Sequence, residues 1–274
     1  MQTHKLGNIS KSIRERSIMI SKNQIKLVRQ LEQKKYRQRE GLFVAEGPKV
    51  VGDLLVHGFR AHLLFATDDW TCPPGCAPGA AAVAVSADEL RRLSFLQHPQ
   101  QVLAVFPIPG EQVAAVPSGG GDEPLLLALD GVQDPGNLGT IIRIADWFGI
   151  DTLLCSRDTA DAWNPKVVQA TMGSIARVHL VYCDLVDVLS ATPLPVYGTL
   201  LDGDDLYREP LTAGGIVVMG NEGNGISPAV RQTISRRLLI PSYHRGDDAA
   251  ESLNVAIATA VVCAEFRRRS AAIG

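Results

Sequence analysis

The chain has 274 residues, of which 46% are apolar and 20% are charged, and this composition excludes a disordered chain. No stretch approaches the roughly 18 uninterrupted apolar residues of a membrane span, and no signal-peptide core follows the basic N-terminus. Five cysteines suit a reducing cytoplasm better than a disulfide framework. The net charge of −2 hides a basic segment, residues 1–40, with eleven Lys/Arg and three Asp/Glu. Such a segment favours contact with a polyanion, although a solvated basic face would look the same.

The first predicted helix follows a tail, residues 1–18, that shows no period; Met19 is an alternative start of the natural chain. The stretch "SKNQIKLVRQLEQKKYRQ" predicts one helix, because Ser21 and Gln24 have the spacing of a capping box. Ile25, Val28 and Leu31 form a narrow apolar stripe on it. The remaining surface of this helix carries basic side chains that we expect to face solvent or a polyanion.

Short strands and helices then alternate up to residue 108. Strands are predicted at 41–47, 61–66, 81–86 and 101–108, and helices at 48–58 and 87–94. This pattern predicts a small three-layer α/β domain over residues 19–106. Cys72 and Cys76 lie in "CPPGC" between two strands, but no second Cys/His pair has metal-ligand spacing nearby, so we expect a loop with free thiols rather than a zinc site.

A segment rich in proline and glycine, residues 107–124, is predicted to be a linker to a second domain, residues 125–274. Strands and helices alternate again in that domain. The predicted strands are 125–129, 152–155, 196–200, 216–219 and 237–240, and the predicted helices are 138–148, 164–172, 184–190, 228–235 and 252–268. Alternation of this kind predicts an α/β fold with a mostly parallel sheet, in which ligands bind outside the carboxyl ends of the strands.

The loop after the first of these strands reads "DPGNLGTIIR". Asn137 is predicted to cap a helix that begins at Leu138, and Gly136 and Gly139 permit close backbone approach. The loop lacks the residues of a P-loop and of a dinucleotide-binding turn. Arg143 lies in an otherwise apolar helix, so it either pairs with a carboxylate or binds phosphate or takes part in catalysis.

Two later loops also carry polar residues after strands. "GNEGNG" at residues 220–225 places three glycines around Glu222, which is compatible with a cofactor loop or with a simple turn. Ser227 is the expected cap of the following helix, with Pro228 just inside it. "ESLNVA" starts the last helix, where Ser252 is expected to act as an N-cap. That helix ends in Arg267–Arg269, which suit a helix C-terminus and could equally contact RNA.

Together the three loops resemble the SpoU (TrmH-type) branch of the SPOUT superfamily, the RNA ribose 2′-O-methyltransferases. Asn137, Gly139 and Arg143 match its first motif, Gly220 to Gly225 match its second, and Ile240-Pro241 with Ser252 to Val255 match its third. "REGLFVAEGPKVV" is similar to part of the family's small L30e-like substrate-binding domain. Ser242 and the long stretch that follows depart from the family, in which Met often follows Ile-Pro.

The resemblance implies a trefoil-knotted catalytic domain, S-adenosylmethionine as cofactor, a homodimer and no metal. By position, the cofactor-binding residues would be Thr199, Leu200, Gly220, Asn221, Glu222, Gly223, Ile240, Leu253 and Asn254. The catalytic residues would be Arg143, Asn137, Glu222, Ser252 and Asn254. The basic N-terminal helix would contact RNA phosphates through Lys22, Lys26, Arg29, Lys34 and Arg39.

The expected reaction is methylation of a ribose 2′-hydroxyl in structured RNA, with rRNA favoured over tRNA. A ribose hydroxyl is a poor nucleophile, so the reaction needs in-line positioning and help with the proton. Because arginine normally stays charged, Arg143 is expected to stabilise the developing alkoxide and hold the adjacent phosphate rather than act as a base. The alternatives are a non-catalytic RNA-binding or ribosome-assembly factor that retains the fold and, less favoured, a base-methylating SPOUT enzyme.

Overall fold

The computed structural model of the protein describes residues 20–110, 124–244 and 252–270. The predicted tail, most of the predicted linker and residues 245–251 lie outside these ranges. The described residues form two compact units. The first contains the chain up to Pro109 together with Trp163–Ala176, and the second contains the remainder.

The first unit is built around a four-stranded sheet. Its strands are β1 (Leu42–Glu46), β2 (Leu63–Ala66), β3 (Ala82–Ala84) and β4 (Val102–Pro107), in the order β1-β4-β2-β3. Strand β4 is antiparallel to both β1 and β2, whereas β2 and β3 are parallel. The carboxyl ends of β1, β2 and β3 therefore lie at one edge of the sheet, beside the start of β4.

The predicted basic helix is two helices, α1 (Lys22–Gln30) and α2 (Lys34–Glu40), so the expectation of a single helix is wrong. The capping box of Ser21 and Gln24 is present at the start of α1. The break follows from Arg37, whose buried guanidinium donates hydrogen bonds to the carbonyl oxygens of Leu31 (2.8 Å) and Glu32 (2.7 Å). These bonds satisfy carbonyls that a continuous helix would pair internally.

Helices cover both faces of this sheet. On one face, α1 and α4 (Ala87–Leu93) pack on Val44, Phe65 and Leu103 of the sheet. On the other face lie α3 (Pro48–Val56) and a cluster of aromatic rings from Phe43, Phe59 and Phe106. This arrangement gives the small α/β domain its three layers.

A segment from the second half of the chain completes the first unit. Trp163 stacks on Phe43 with ring centroids 4.5 Å apart. The following helix, α6 (Pro165–Ala170), packs on β1, and a short 3₁₀ turn (Ser174–Ala176) packs on α3. The helix predicted at 164–172 is therefore present, but its contacts place it with the N-terminal sheet.

The second unit holds a six-stranded sheet in which every pairing is parallel. Its strands are β5 (Leu125–Leu129), β6 (Thr152–Cys155), β7 (His179–Tyr182), β8 (Val196–Asp205), β9 (Gly215–Met219) and β10 (Arg236–Leu239), in the order β10-β8-β9-β5-β6-β7. Central β5 and β9 are buried along their whole length, as continuous apolar runs predict. The predicted α/β class with a parallel sheet is confirmed.

Within the described residues, four helices accompany this sheet: α5 (Pro135–Trp147), α7 (Leu185–Ala191), α8 (Pro228–Arg231) and α9 (Val255–Ser270). Residues of α7 and α8 join one core cluster with the sheet, and α5 packs against α9. Strand β7 was not predicted, because it is a short edge strand in which only Val181 is buried. Such a strand lacks the apolar run or the alternation that identifies central strands.

Candidate functional site

The loops after β5 and β9 lie side by side because these strands are neighbours in register. Leu129 and Met219, the last residues of the two strands, are partners across the ladder. The two loops therefore leave the sheet together at its carboxyl edge, where ligands bind in parallel sheets. Two of the three motifs meet at this point.

Helix α5 begins at Pro135 and is capped by Asp134, so the prediction that Asn137 is the cap is wrong. The Asp134 carboxylate accepts a hydrogen bond from the Asn137 backbone N–H at 2.8 Å. Asp134 is the better cap because Pro135 suits the first helical position and cannot donate a hydrogen bond itself. The change leaves the side chain of Asn137, in the first turn, available for contacts with distant residues.

Asn137 links the second and third motifs through its side chain. Its Nδ2 donates to Glu222 Oε1 at 2.9 Å, and its Oδ1 accepts from Asn254 Nδ2 at 2.9 Å. Glu222 also accepts bonds from the backbone N–H groups of Gln133 (3.4 Å) and Asp134 (3.3 Å). We name Glu222, Asn137 and Asn254 the carboxylate–amide chain. Its members come from three segments of the sequence.

Asn254 also caps the last helix, a role that the sequence assigned to Ser252. The Asn254 Oδ1 atom accepts hydrogen bonds from the backbone N–H groups of Ala256 (3.0 Å) and Ile257 (3.3 Å). Because Nδ2 faces Asn137, one side chain both caps α9 and joins the carboxylate–amide chain. Ser252 and Leu253 are exposed, and Ser252 makes no hydrogen bond with the other described residues.

The glycine-rich second motif folds into a tight loop. Asn221 and Gly225 pair through their backbones, and Asn221 Nδ2 donates to the Gly131 carbonyl oxygen at 2.7 Å. Asn221 Oδ1 accepts from the N–H groups of Gly223 and Asn224, both at 2.9 Å. A Cβ on Gly220 would lie 2.3 Å from the backbone carbon of Gly225, so only glycine permits this closure.

The sequence did not point to two residues whose hydrogen bonds hold the first and second loops in place. Asp130 is buried, and its Oδ2 accepts a hydrogen bond from the Ser227 N–H at 2.7 Å. Ser156 Oγ accepts from the Gly131 N–H at 2.8 Å. Both residues directly follow buried strands, a position that could have identified them. Ser227 caps α8 by position but makes no capping bond with its side chain.

Arg143 lies apart from the carboxylate–amide chain. It is exposed on α5, six residues after Asn137 and therefore about 9 Å further along the helix axis. No carboxylate among the described residues pairs with it, so the ion-pair alternative is not found within them. None of the other predicted catalytic residues contacts it within this chain. It is a cation on the surface of the unit.

The predicted cofactor residues lie at the same edge of the sheet, and Thr199 and Leu200 are inside β8. Strand β8 pairs with β9 through Gly198 and resumes pairing with β10 only at Asp204. Residues 199–203 thus have no ladder partner, and Thr199 Oγ1 donates to the Val218 carbonyl oxygen at 3.1 Å. Ile240 is half-buried directly after β10.

The predicted RNA-binding side chains of the first unit divide into two groups. Lys22, Lys26 and Lys34 are exposed and form no ion pair with the described residues. Arg29 donates to the Ser94 carbonyl oxygen at 2.7 Å, and Arg39 pairs with Glu40 and lies over the Tyr36 ring. The three lysines are therefore cations without an ion pair in the part of the chain that the structure describes, whereas the two arginines have structural contacts.

The arginines at the end of α9 serve the fold. Arg267 donates to the carbonyl oxygens of Phe148 and Gly149, which caps the end of α5. Arg269 bonds the carbonyl oxygens of Leu206 and Glu209 and pairs with buried Glu265. Their predicted alternative role as RNA contacts is not supported by these bonds. Arg268 is exposed and also pairs with Glu265.

The described ranges contain neither a metal-binding cluster nor a membrane-spanning helix. No group of three or more His, Cys, Asp or Glu side chains is placed to hold a metal ion, and Cys72 and Cys76 are both free. No helix in the described ranges is long and apolar enough to cross a membrane.

Similarity to known families covers both halves of the chain. Residues 124–264 match the SpoU rRNA Methylase family, and residues 22–104 match the MRM3-like substrate binding domain. The 23S rRNA (guanosine(2553)-2′-O)-methyltransferase RlmP of Bacillus subtilis is 33% identical over 257 residues, which are 92% of this chain and 99% of that protein. The human mitochondrial rRNA methyltransferase 3 is 30% identical over 154 residues, 53% of this chain and 36% of that protein.

Solved structures are similar over nearly the whole chain. A Porphyromonas gingivalis protein assigned to the TrmH family of RNA methyltransferases has 44% identity and a TM-score of 0.81, covering 92% of this chain and 100% of its own. An AdoMet-bound rRNA methyltransferase from Sinorhizobium meliloti has 29% identity and a TM-score of 0.76, covering 89% and 94%. The predicted family and RNA methyltransferase class are thereby confirmed. The chain belongs to the SpoU rRNA methylase family.

Proposed function

We propose that this protein transfers the methyl group of S-adenosylmethionine to a ribose 2′-hydroxyl of ribosomal RNA. The observation that carries the proposal is the carboxylate–amide chain, which joins the three motifs at the carboxyl edge of a parallel sheet. The similarity to RlmP, a 23S rRNA 2′-O-methyltransferase, favours rRNA over tRNA and ribose over base. We therefore assign Glu222, Asn137 and Asn254 to the reaction site.

The loops at this edge suit S-adenosylmethionine, which was bound in the Sinorhizobium structure. The backbone of residues 199–203 has no ladder partner, and we assign contacts with the cofactor to this segment. Gly220, Asn221, Glu222 and Gly223, together with Ile240, Leu253 and Asn254, would complete the site beside Thr199 and Leu200. The cofactor supplies an electrophilic methyl group on a sulfonium; the protein's part is to bind and orient.

The side chains at this edge offer polar groups for a ribose and its phosphate. The carboxylate–amide chain holds its own members in fixed positions, so its free lone pairs and those of Ser252 can orient the hydroxyl with little reorganisation. Arg143 stays charged at neutral pH. We propose that Arg143 binds the phosphate next to the ribose and stabilises the developing alkoxide. It does not remove the proton as a base.

A homodimer would explain why Arg143 lies apart from the other catalytic residues. Trp147 on α5 is 84% exposed, and Ile257 on α9 is 54% exposed. Large apolar side chains this exposed are typical of a covered interface. We propose that α5 and α9 face a second copy, so that Arg143 acts near a junction of two protomers. The trefoil knot remains a prediction from the family resemblance.

The reaction is tested by incubating the protein with radiolabelled S-adenosylmethionine and unmodified 23S rRNA, then mapping 2′-O-methyl nucleotides. We expect label at a single ribose position. Absence of incorporation into any rRNA by folded protein would reject the proposal. If S-adenosylmethionine also failed to bind in calorimetry, a non-catalytic RNA-binding factor would be favoured. Label on a base would favour a base-methylating enzyme.

The role of Arg143 is tested by Arg143→Ala. Loss of a cation that stabilises transition-state charge should lower kcat by about 10²–10³-fold while S-adenosylmethionine affinity stays the same. Arg208→Ala is the matched control, because Arg208 is 88% exposed and pairs only with Asp205 among the described residues. Turnover of R143A within twofold of R208A would show that Arg143 is not a catalytic residue.

A further inference from the structure

The first unit has an open groove of about 500 Å³ that none of the three motifs touches. It lies where β1, β2 and β3 end and β4 begins, and its walls include Pro48 after β1, Thr67 after β2 and Gln101 before β4. The chain leaves β1 for α3 on one face of the sheet and leaves β3 for α4 on the other. In α/β sheets, ligands bind in the crevice outside the strand ends, at the point where the chain leaves neighbouring strands for opposite faces of the sheet.

The groove combines apolar walls with unused polar groups. Pro48, Pro99 and Leu90 provide flat or apolar surface. The side-chain amides of Gln100 and Gln101 are exposed and make no hydrogen bonds with the described residues. An amide carries both a donor and an acceptor, which is the pattern on the edge of a nucleic-acid base. Volumes of 300–1,000 Å³ are typical of ligand pockets, so one nucleotide fits.

The backbone at the groove is strained and held in place. Gln101 has a φ of +45°, which is rare for a residue other than glycine. Its carbonyl oxygen accepts the Thr67 N–H at 2.8 Å and the Thr67 hydroxyl at 3.3 Å. Strain that the surroundings maintain is concentrated at functional sites. Here it keeps two neighbouring glutamines at the mouth of the groove.

The charges of the groove suit a nucleotide that is part of an RNA chain. Arg91 lines it, and its only ion pair within the described residues is with Asp88 on the same helix, where both side chains are largely exposed. Such a pair contributes little, so the guanidinium can exchange Asp88 for a phosphate at small cost. The carboxylate of Asp69, also in the lining, can accept a hydrogen bond from an exocyclic amino group of a base.

We propose that this groove binds one unpaired nucleotide of the RNA substrate, with the base between the proline and leucine walls and its edge on Gln100 and Gln101. The proposal rests on the proposed function for the identity of RNA as substrate. Sequence-specific RNA recognition reads unstacked bases in this manner. The groove thus selects a bulged or looped nucleotide, whereas Lys22, Lys26 and Lys34 contact phosphates without reading sequence.

The test compares the wild-type chain with Gln100→Ala/Gln101→Gly. Glycine at 101 removes the amide and tolerates the positive φ, so the backbone keeps its shape. We expect KM for 23S rRNA to rise about tenfold, with kcat and S-adenosylmethionine affinity unchanged, because the groove only binds. Gln38→Ala is the matched control, since Gln38 is exposed on α2 and outside the groove. Cooperative unfolding with midpoints no lower than that of the wild type would establish that all variants fold, because glycine at 101 relieves backbone strain.

Measurements of RNA binding distinguish a defect in the groove from a defect in methyl transfer. An RNA hairpin with a five-nucleotide loop should bind the double variant about tenfold more weakly than wild type, while a blunt duplex of the same stem binds both equally. Photocrosslinks from 4-thiouridine in the loop should map to residues 67–69 or 87–101. Methylation with unchanged KM and hairpin affinity would overturn the groove proposal and leave the proposed function. Loop crosslinks in the groove without methylation of any rRNA would reject the proposed function instead.

Discussion

The side chain of Asn254 performs two tasks with two different atoms. Its Oδ1 caps α9, while its Nδ2 donates to Asn137 at 2.9 Å. An aspartate would keep the acceptor needed for the cap and lose the donor needed for the link. An alanine would lose both. The two substitutions therefore separate helix stability from the geometry of the carboxylate–amide chain.

We expect Asn254→Ala to lower the free energy of unfolding by about 1 kcal/mol, the usual value of an N-cap. Asn254→Asp should leave it within about 0.5 kcal/mol, because aspartate caps as well as asparagine does. Both should lower kcat for rRNA methylation, since Asn137 loses its partner in each. The measurements are urea denaturation and steady-state kinetics.

Asn164→Ala provides the control for this pair. Asn164 Oδ1 caps α6 by accepting from the Lys166 N–H at 2.9 Å, and it has no contact with the carboxylate–amide chain. This variant should lose stability without losing turnover. If N254D kept wild-type kcat, the link to Asn137 would have no part in the reaction.

Helix α9 is anchored at its far end by ion pairs. Glu265 has only 5% of its side chain exposed and accepts bonds from Arg268 at 2.8 Å and Arg269 at 2.7 Å. These partners, Arg268 first, lower the pKa of Glu265 to about 2. Arg269 in turn bonds carbonyl oxygens in the turn after β8. One buried carboxylate therefore ties the last helix to the sheet.

The depressed pKa predicts a pH dependence of stability. The carboxylate stabilises the fold fully above its ordinary pKa, and that contribution is lost as pH falls from about 5 towards 2. We expect Glu265→Gln to lower the free energy of unfolding at pH 7 by about 1–2 kcal/mol relative to wild type. The difference should shrink as pH falls through this window.

Glu40→Gln is the comparison for Glu265, because Glu40 forms a surface pair with Arg39, whose side chain is 61% exposed. Pairs of that kind contribute little to stability. Denaturant unfolding of both variants between pH 7 and pH 3 checks the expectation. The expectation would be contradicted if the difference in the free energy of unfolding between E265Q and wild type stayed constant over this pH range.

At the scale of the whole molecule, the first unit is not made from one continuous stretch of chain. Trp163, α6 and the 3₁₀ turn lie on the aromatic face of a sheet whose strands all come from residues before 110. The stretch of chain between β1 and Trp163 is longer than the predicted linker, so the linker alone does not separate this segment from the first sheet. The predicted domains are 19–106 and 125–274. The segment with Trp163 and α6 lies in the second of these ranges, but its contacts assign it to the first unit.

Cutting the chain between residues 111 and 123 should not separate the two fragments. With a protease site inserted there, we expect the pieces to co-elute in size-exclusion chromatography after cleavage, because the packing of half-buried Trp163 and of α6 on the sheet contributes several kcal/mol. Trp163→Ala should weaken this association, and Tyr207→Ala, at an exposed aromatic residue outside the proposed dimer surface, should leave it unchanged. Separate elution of the cleaved wild-type fragments would show that the segment does not hold them together.

Contiguous sequence was sufficient for the alternating strands and helices, for the Ser21 capping box and for the three motifs. Each of these depends on residues that are neighbours in the chain, through backbone preference, helix-end hydrogen bonding or motif spacing. The family and the parallel sheet followed from them. Edge strand β7 was missed because partial exposure left it without an apolar pattern.

The role of Asn137, the break between α1 and α2, and the position of Trp163 came from the tertiary structure. Asn137 has the local character of a cap, but Asp134 with Pro135 takes that place, and Asn137 instead bonds Glu222 and Asn254, 85 and 117 residues away. The buried guanidinium of Arg37 bonds the carbonyl oxygens of Leu31 and Glu32 at the break after α1. The pattern of neighbouring residues carries no information about such contacts, because they form only when distant segments pack together.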